Sequence, residues 1–184
     1  MISFNCIEDS GGSFDFLQNS GIFRTDDKIL TREGLLKFAT WDGTRFVGGL
    51  VSHDKLKSSL GYKIYYSGAE GEILTQGGGA KFPAEDVVVK SGWNWIGHAP
   101  LISYDVNSGI VAVNGAAFTA DDQIKTRRGS ALIFCTYTGS EFTGGLTELK
   151  PGVGYEVKVA QGVTFSYSTT SVPSDGRMLA TAKQ

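Results

Sequence analysis

The sequence predicts a mainly β protein with minor α structure, arranged as two similar small antiparallel-sheet modules related by pseudo-two-fold symmetry. The first observation is composition, because 25 glycines and only 4 prolines in 184 residues favour tight turns and short strands over long helices. The second is an internal repeat, in which the segment 26–34 returns as the segment 121–129. The third is that apolar and aromatic runs end at glycine-containing turns, which is typical of hairpins.

The repeat continues beyond this segment and keeps its order. The offset between copies drifts from 95 to 96 to 93 residues, so one small insertion and one three-residue deletion account for it. The further matching segments are 46–50 with 142–146 and 60–64 with 153–157. Turn glycines and strand aromatics recur, and we take as the structural motif Gly34, Gly48, Gly49, Tyr62, Gly129, Gly144, Gly145 and Tyr155, together with Trp93 and Trp95 of the second copy.

The repeat divides the chain into four parts. We predict a first β module over 1–75, a linker over 76–90 around the glycines at 77–79, a second β module over 91–167, and a C-terminal tail or arm over 168–184. Residues 1–4 align with 95–98, so the first copy is expected to begin at or before residue 1. The tail is polar and lacks periodicity, which indicates disorder or order only against another surface.

Each module is predicted to form a short antiparallel sheet with one brief helical crossover. The runs 35–41 and 131–137 are rich in β-branched and aromatic residues and enter turns at Asp42-Gly43 and Thr138-Gly139. The last strands of the modules, 62–66 and 155–159, alternate as half-buried strands do. The crossovers, 13–19 and 106–114, are predicted to hold one or two helical turns at most, since Gly109 and Gly115 disfavour a long helix.

Composition excludes several classes of partner. The 17 Lys and Arg residues balance 19 Asp and Glu residues and form no block of one sign, so no footprint for nucleic acid is expected. The longest apolar run is far too short for a membrane span, and the N-terminus shows no targeting pattern. Cys6 and Cys135 occupy non-equivalent places in the copies, which favours two free thiols and a reducing compartment.

The sequence predicts no catalytic, cofactor-binding or metal-binding residue. The Asp-Asp pairs at 26–27 and 121–122 lack the further oxygen ligands of a calcium loop, so their carboxylates are expected to accept backbone N–H bonds instead. His53 and His98 have no counterparts in the other copy and are interpreted as surface or packing residues, while the spacing of Cys and His fits no zinc site.

The tryptophans allow two interpretations. Trp41, Trp93 and Trp95, together with seven tyrosines, could form a platform for stacking on sugars. Trp93 and Trp95 fall on one face of a strand, and we favour packing in the core for them, because aromatic residues at alternate strand positions are more often core residues.

The motif GWNWIG at 92–97 and the segments 122–125, 142–146 and 151–155 together resemble a recurrent β module. Such modules form arrays in bacterial surface proteins, with no chemistry assigned to their residues. The tandem pair of modules in this chain resembles a pair found in the pyrenoid shell proteins of diatoms. Those proteins assemble into a protein sheet around the Rubisco compartment of the chloroplast. The resemblance covers nearly the whole chain up to Tyr167, although the first copy lacks the tryptophan opening.

The resemblance implies a non-catalytic structural protein that self-assembles into a sheet, tube or shell around the pyrenoid and so supports CO₂ fixation. Its expected partners are further copies of itself and components of the Rubisco matrix. It is expected in the chloroplast stroma, at the periphery of the pyrenoid. No cofactor is expected. Apolar residues in the polar tail, namely Val172, Met178 and Leu179, are the predicted anchors for self-assembly. The alternative is a secreted or cell-wall module that binds carbohydrate; an enzyme ranks third.

Overall fold

A computed structural model describes residues 2–3, 14–53, 56–69, 86–113, 115 and 117–168. The predicted mainly β class is confirmed, with 48% strand and 5% helix, and every strand pair within these ranges is antiparallel. The predicted tail anchors Val172, Met178 and Leu179 lie outside the described residues.

The described residues of the first half form five strands that pair in the order β4-β3-β2-β5-β1. Two short helices accompany them. The elements are β1 (Ile2–Ser3), α1 (Asp15–Gln18), β2 (Lys28–Glu33), β3 (Leu35–Trp41), β4 (Phe46–Val47), α2 (Gly49–His53) and β5 (Gly61–Tyr65).

The second half repeats this order with its own strands, which pair as β12-β11-β10-β14-β7. A three-stranded sheet, β6-β15-β9, and a two-stranded pair, β8-β13, are added. The elements are β6 (Val87–Val89), β7 (Gly92–Gly97), β8 (Tyr104–Asp105), β9 (Ile110–Ala112), β10 (Gln123–Arg128), β11 (Ala131–Tyr137), β12 (Phe142–Gly144), β13 (Glu148–Leu149), β14 (Gly154–Val159) and β15 (Val163–Tyr167).

The two sets of five strands join into one ten-stranded sheet. The junction is made by β7, because Asn94 pairs with Glu33 of β2 and Ile96 forms a bridge with Leu60. The Gly97 amide also donates a hydrogen bond of 2.9 Å to the Ser59 carbonyl. Backbone pairing therefore continues from one half of the chain into the other.

One face of this sheet carries the core, which consists of two clusters of buried side chains. In the first half, α1 and the following loop contribute to the covering layer, and the cluster contains Phe14, Leu17, Phe23, Ile29, Ala39, Trp41, Phe46, Leu50, Leu56, Leu60 and Tyr62. In the second half, the sheet β6-β15-β9 contributes to it, and its buried residues include Val87, Val89, Ile96, Ile110, Ile124, Tyr155, Val163 and Phe165.

Both halves use the same side-chain hydrogen bonds to hold their turns. The hydroxyl of Tyr62 accepts a hydrogen bond of 2.7 Å from the Lys57 amide, and that of Tyr155 accepts one of 2.6 Å from the Lys150 amide. Thr31, a buried strand residue, donates to the Gly61 carbonyl, and its counterpart in β10 donates to the Gly154 carbonyl. These tyrosine and threonine hydroxyls, which recur in both halves, therefore have a structural role.

The two crossovers differ from each other. The first contains the single helical turn α1, as predicted, whereas 106–112 forms a turn followed by the strand β9. The carboxylate of Asp105 accepts backbone hydrogen bonds from Asn107 and Ser108, which stabilises the turn in place of a helix. Gly109 then lies so close to this turn that a Cβ there would be 2.6 Å from the Asp105 carbonyl oxygen.

Several elements were not anticipated from the sequence, among them β6 and α2. Residues 87–89, which fall within the predicted linker, form β6 and pair with β15. Residues 49–53, which begin inside the repeated segment 46–50, form α2.

The glycine pairs 48–49 and 144–145 lie where the chain passes close to the backbone of β3 and β11, respectively. Gly48 and Gly144 have φ angles of 131° and 142°, and a Cβ at these positions would lie 2.8 Å and 2.5 Å from the carbonyl oxygens of Phe38 and Phe134. A side chain there would need both a rare backbone conformation and displacement of a β strand.

We expect Gly144→Ala to lower the free energy of unfolding by about 2 kcal/mol or more, because it combines backbone strain with a backbone clash. Gly145→Ala is the matched control, since its Cβ would meet only the Ile133 Cγ2 at 3.8 Å; its effect should stay below about 0.5 kcal/mol. Urea unfolding of both variants measures the difference, and equal stabilities would contradict the explanation.

Candidate functional site

The candidate site is centred on the strand β7, because its side chains alternate between the core side and the opposite side of the sheet. Asn94 and Ile96 point to the side that carries the core, while Trp93 and Trp95 point to the opposite side. We call this opposite side of the ten-stranded sheet the open face.

Asn94 is buried and uses both ends of its amide to tie the halves together. Its Oδ1 accepts hydrogen bonds from the backbone amides of Gly34, at 3.0 Å, and Lys90, at 3.1 Å. Its Nδ2 donates to the carbonyls of Lys90 and Gly92. An apolar residue at this position would leave these backbone groups without the contacts that Asn94 supplies.

On the open face, a carboxylate lies between two lysines from different halves of the chain. Glu156 Oε1 is 2.6 Å from the Nζ of Lys63, and Glu156 Oε2 is 3.1 Å from the Nζ of Lys125. Burial opposes ionisation of Glu156, but hydrogen bonds and attraction from the two lysines outweigh it and lower the pKa of the carboxyl. Glu156 is therefore the ionic link across the junction.

The same two lysines cover the tryptophans. The Nζ of Lys63 lies 4.3 Å from the ring centroid of Trp95, and the Nζ of Lys125 lies 3.8 Å from that of Trp93. The two indoles share a face, as expected, and Trp95 is buried, although neither tryptophan belongs to the two core clusters. Trp95 is 8% exposed and Trp93 is half-buried, yet both lie on the side opposite the two core clusters, and charged side chains cover them.

The rest of the open face exposes apolar side chains at corresponding positions of the two halves. Arg32 pairs with Leu36 across β2 and β3, and Arg127 pairs with Leu132 across β10 and β11. A phenylalanine follows two residues after each leucine, on the same face. The two leucines and the two phenylalanines, Leu36, Phe38, Leu132 and Phe134, are each about half exposed.

The open face is also strongly basic. Among the described residues its strands carry six cationic side chains and one anionic one, Glu156. The formal net charge of the whole chain is −2, so this face is opposite in sign to the molecule. The six cations are Lys28, Arg32, Lys63, Lys125, Arg127 and Lys158.

A pocket of about 190 Å³ opens on this face, lined mainly by the second half and by Lys63 of the first. It is lined by Lys63, Lys125, Thr126, Arg127, Leu132 and Glu156. Three cations thus surround a space with one apolar wall, and the single carboxylate is already shared by two of them. The pocket suits an anionic group attached to an apolar one.

The histidine and cysteine on the core side have no exposed reactive group. His98 is fully buried between Tyr104 and Tyr167, and its Nε2 lies 2.7 Å from the Ile102 carbonyl oxygen, to which it donates. Burial, opposed by that hydrogen bond, lowers the pKa of His98 to about 4. Burial likewise raises the pKa of the Cys135 thiol to about 11. The side chains of His53 and Cys6 lie outside the described part of the chain.

The Asp-Asp pairs act as turn supports. Asp27 accepts backbone hydrogen bonds from Arg24 and Ser67, and Asp122 accepts them from Thr119 and Ala160. The preceding residue in each pair, at positions 26 and 121, takes a φ of 72°, which aspartate tolerates better than most residues do. This arrangement agrees with the interpretation that their carboxylates accept N–H bonds.

Other kinds of site were also sought in the described ranges. There, His, Cys, Asp and Glu side chains form no group of three or more that could hold a metal ion. No helix in the same ranges is long and apolar enough to cross a membrane.

Comparison of the chain with models of known protein families, with curated proteins and with solved structures gave no match. The candidate site of this chain is therefore defined by the chemistry of the open face alone. Sequence reasoning missed it, although the recurrence of Leu-x-Phe at 36–38 and 132–134 is a visible signal.

We expect Glu156→Gln to lower the free energy of unfolding by about 1 kcal/mol, because it removes the charge that links Lys63 and Lys125. Glu148→Gln is the matched control. Its partner Lys150 is 3.4 Å away and both side chains are more than 40% exposed, so little change is expected. Chemical denaturation at low and high salt tests this, and a larger loss in the control would contradict it.

We expect stability to fall as the pH is lowered from about 6.5 towards 4, because unfolded His98 takes up a proton in this range and the buried imidazole does not. A pKa shift of this size lowers the free energy of unfolding by about 3 kcal/mol once the pH is below the pKa of the folded state. His98→Gln should flatten the dependence in this window while leaving the carboxylate-dependent loss at lower pH. Unfolding free energies measured from pH 7 to 4 provide the test, and equal slopes in both proteins would rule out His98 as the cause.

Proposed function

We propose that this protein is a non-catalytic structural protein that self-assembles into a sheet or shell. The observation that carries the proposal is the strand order of the joined sheet. The first half runs β4-β3-β2-β5-β1, and the second half continues outward from β7 as β14-β10-β11-β12. Corresponding strands, β4 and β12, thus lie at the ends of the two pairing orders that are farthest from the junction, which supports a pseudo-two-fold arrangement.

Such an arrangement supports propagation. Contacts made at corresponding but non-identical ends of one chain do not have to close into a dimer, and repeated contacts of this kind build filaments or lattices. Both outer strands are only two or three residues long, which limits uncontrolled edge pairing. We therefore retain the tail after Ser168 as the element that joins neighbouring copies, through Val172, Met178 and Leu179.

The place of assembly rests on the sequence resemblance alone. The motifs similar to those of the pyrenoid shell proteins lead us to propose the periphery of the algal pyrenoid as its location, with the Rubisco matrix as neighbour. The carbohydrate-binding alternative has less support, because a lysine lies over each of the rings of Trp93 and Trp95. Sugar stacking needs an accessible aromatic face.

We expect the mass of the full chain in solution to rise with protein concentration, and sheets or tubes to appear by negative-stain microscopy. A chain ending at Ser168 should remain monomeric over the same range, because it lacks the proposed anchors. The full chain with Lys150→Gln is the matched control and should assemble normally. A full chain that stays monomeric at every concentration, or a truncated chain that assembles unchanged, would overturn the proposal.

A further inference from the structure

We infer that the open face is a docking site for an acidic polypeptide segment that also carries apolar side chains. A carboxylate of the segment would enter the pocket between Lys125 and Arg127, and a neighbouring apolar side chain would lie on Leu132 and Phe134. This inference depends on the open face and not on self-assembly.

Charge complementarity is the first argument. Six cations and one carboxylate face solvent or the pocket on this side of a chain whose net charge is −2. Two copies packed with their open faces together would bring like charges into contact, which opposes association. An acidic partner meets this surface with opposite charge and is attracted to it before contact.

The apolar side chains are the second argument. Exposed leucine and phenylalanine side chains occur together on this face, and the Arg-Leu cross-strand pair with the following phenylalanine occurs in both halves. Each leucine lies beside an arginine, so a ligand residue that contacts the leucine places its neighbours near a guanidinium. Arginine binds carboxylates in a two-pronged geometry that adds specificity to charge.

These features favour a polypeptide over other polyanions. Single-stranded nucleic acid binds through bases stacked on open aromatic rings. The indoles of this face are covered by lysines, and its exposed large apolar side chains include the two leucines as well as the rings of Phe38, Tyr65 and Phe134. A lipid surface calls for apolar residues that insert beyond the cations. Here they lie within the sheet face, next to the cations, and are only half exposed.

Fluorescence anisotropy with a labelled peptide of about twelve residues that mixes Glu and Asp with Leu and Phe tests the inference. The double variant Arg127→Gln with Leu132→Ser should weaken binding about tenfold or more, equivalent to about 1.4 kcal/mol. The matched control is Arg45→Gln with Val88→Ser, which removes an exposed cation and an exposed apolar side chain elsewhere and should bind as the original chain does.

Two further peptides separate the contributions. Replacing the acidic residues of the probe by Gln and Asn, or its apolar residues by Ser, should each weaken binding. Unaltered binding by the double variant, equal binding of the neutral probe, or no binding of the acidic probe would overturn the inference. So would tighter binding of a single-stranded DNA oligonucleotide or of phosphatidylserine vesicles that is lost in the same double variant. Circular dichroism confirms that each variant is folded.

Discussion

The arrangement of the whole protein depends on one strand, β7, whose backbone N–H and C=O groups form hydrogen bonds on both of its sides. An edge strand exposes unpaired N–H and C=O groups, and two small sheets placed side by side would each present such an edge. β7 pairs along its full length with β14 and makes local pairs with β2 and with Leu60 on its other side. The side chain of Asn94 forms hydrogen bonds with nearby backbone amides and carbonyls where this pairing is incomplete. One strand is therefore bonded to both halves.

The charged groups of the open face follow from this junction. Because Trp95 pairs with Glu156, and Glu156 with Lys125, three neighbouring strands present an indole, a carboxylate and an ammonium in one row. Lys63 then reaches the carboxylate from the first half at 2.6 Å. The ion pairs are partly exposed and contribute modestly to stability, but they fix the positions of cations that would otherwise move freely in solvent. The junction and the basic surface are thus one structure.

Local signals explain why much of the fold could be predicted from the sequence. The glycine turns after β3 and β11, the alternation of β5 and β14, and the match of 1–4 with 95–98 depend on short stretches of chain; Ile2 indeed pairs with Tyr62 as Ile96 pairs with Tyr155. The strands β6 and β9 were missed because three-residue elements are defined by their partner β15, which is distant in sequence. The candidate site was missed for a related reason, since an alternating pattern gives two faces but does not say which one is covered. Leu36 and Leu132 could be assigned to the open side only when the covering layers were known.

The strand β6 shows that the core of the second half includes residues before the predicted start of the second module. The sequence period places the second copy from about residue 91, but Val87 and Val89 are buried in its core and pair with β15 from its far end. A fragment cut at the repeat boundary would lose these two valines and the outer pairing partner of β15. The second half therefore completes its core with residues that fall within the predicted linker.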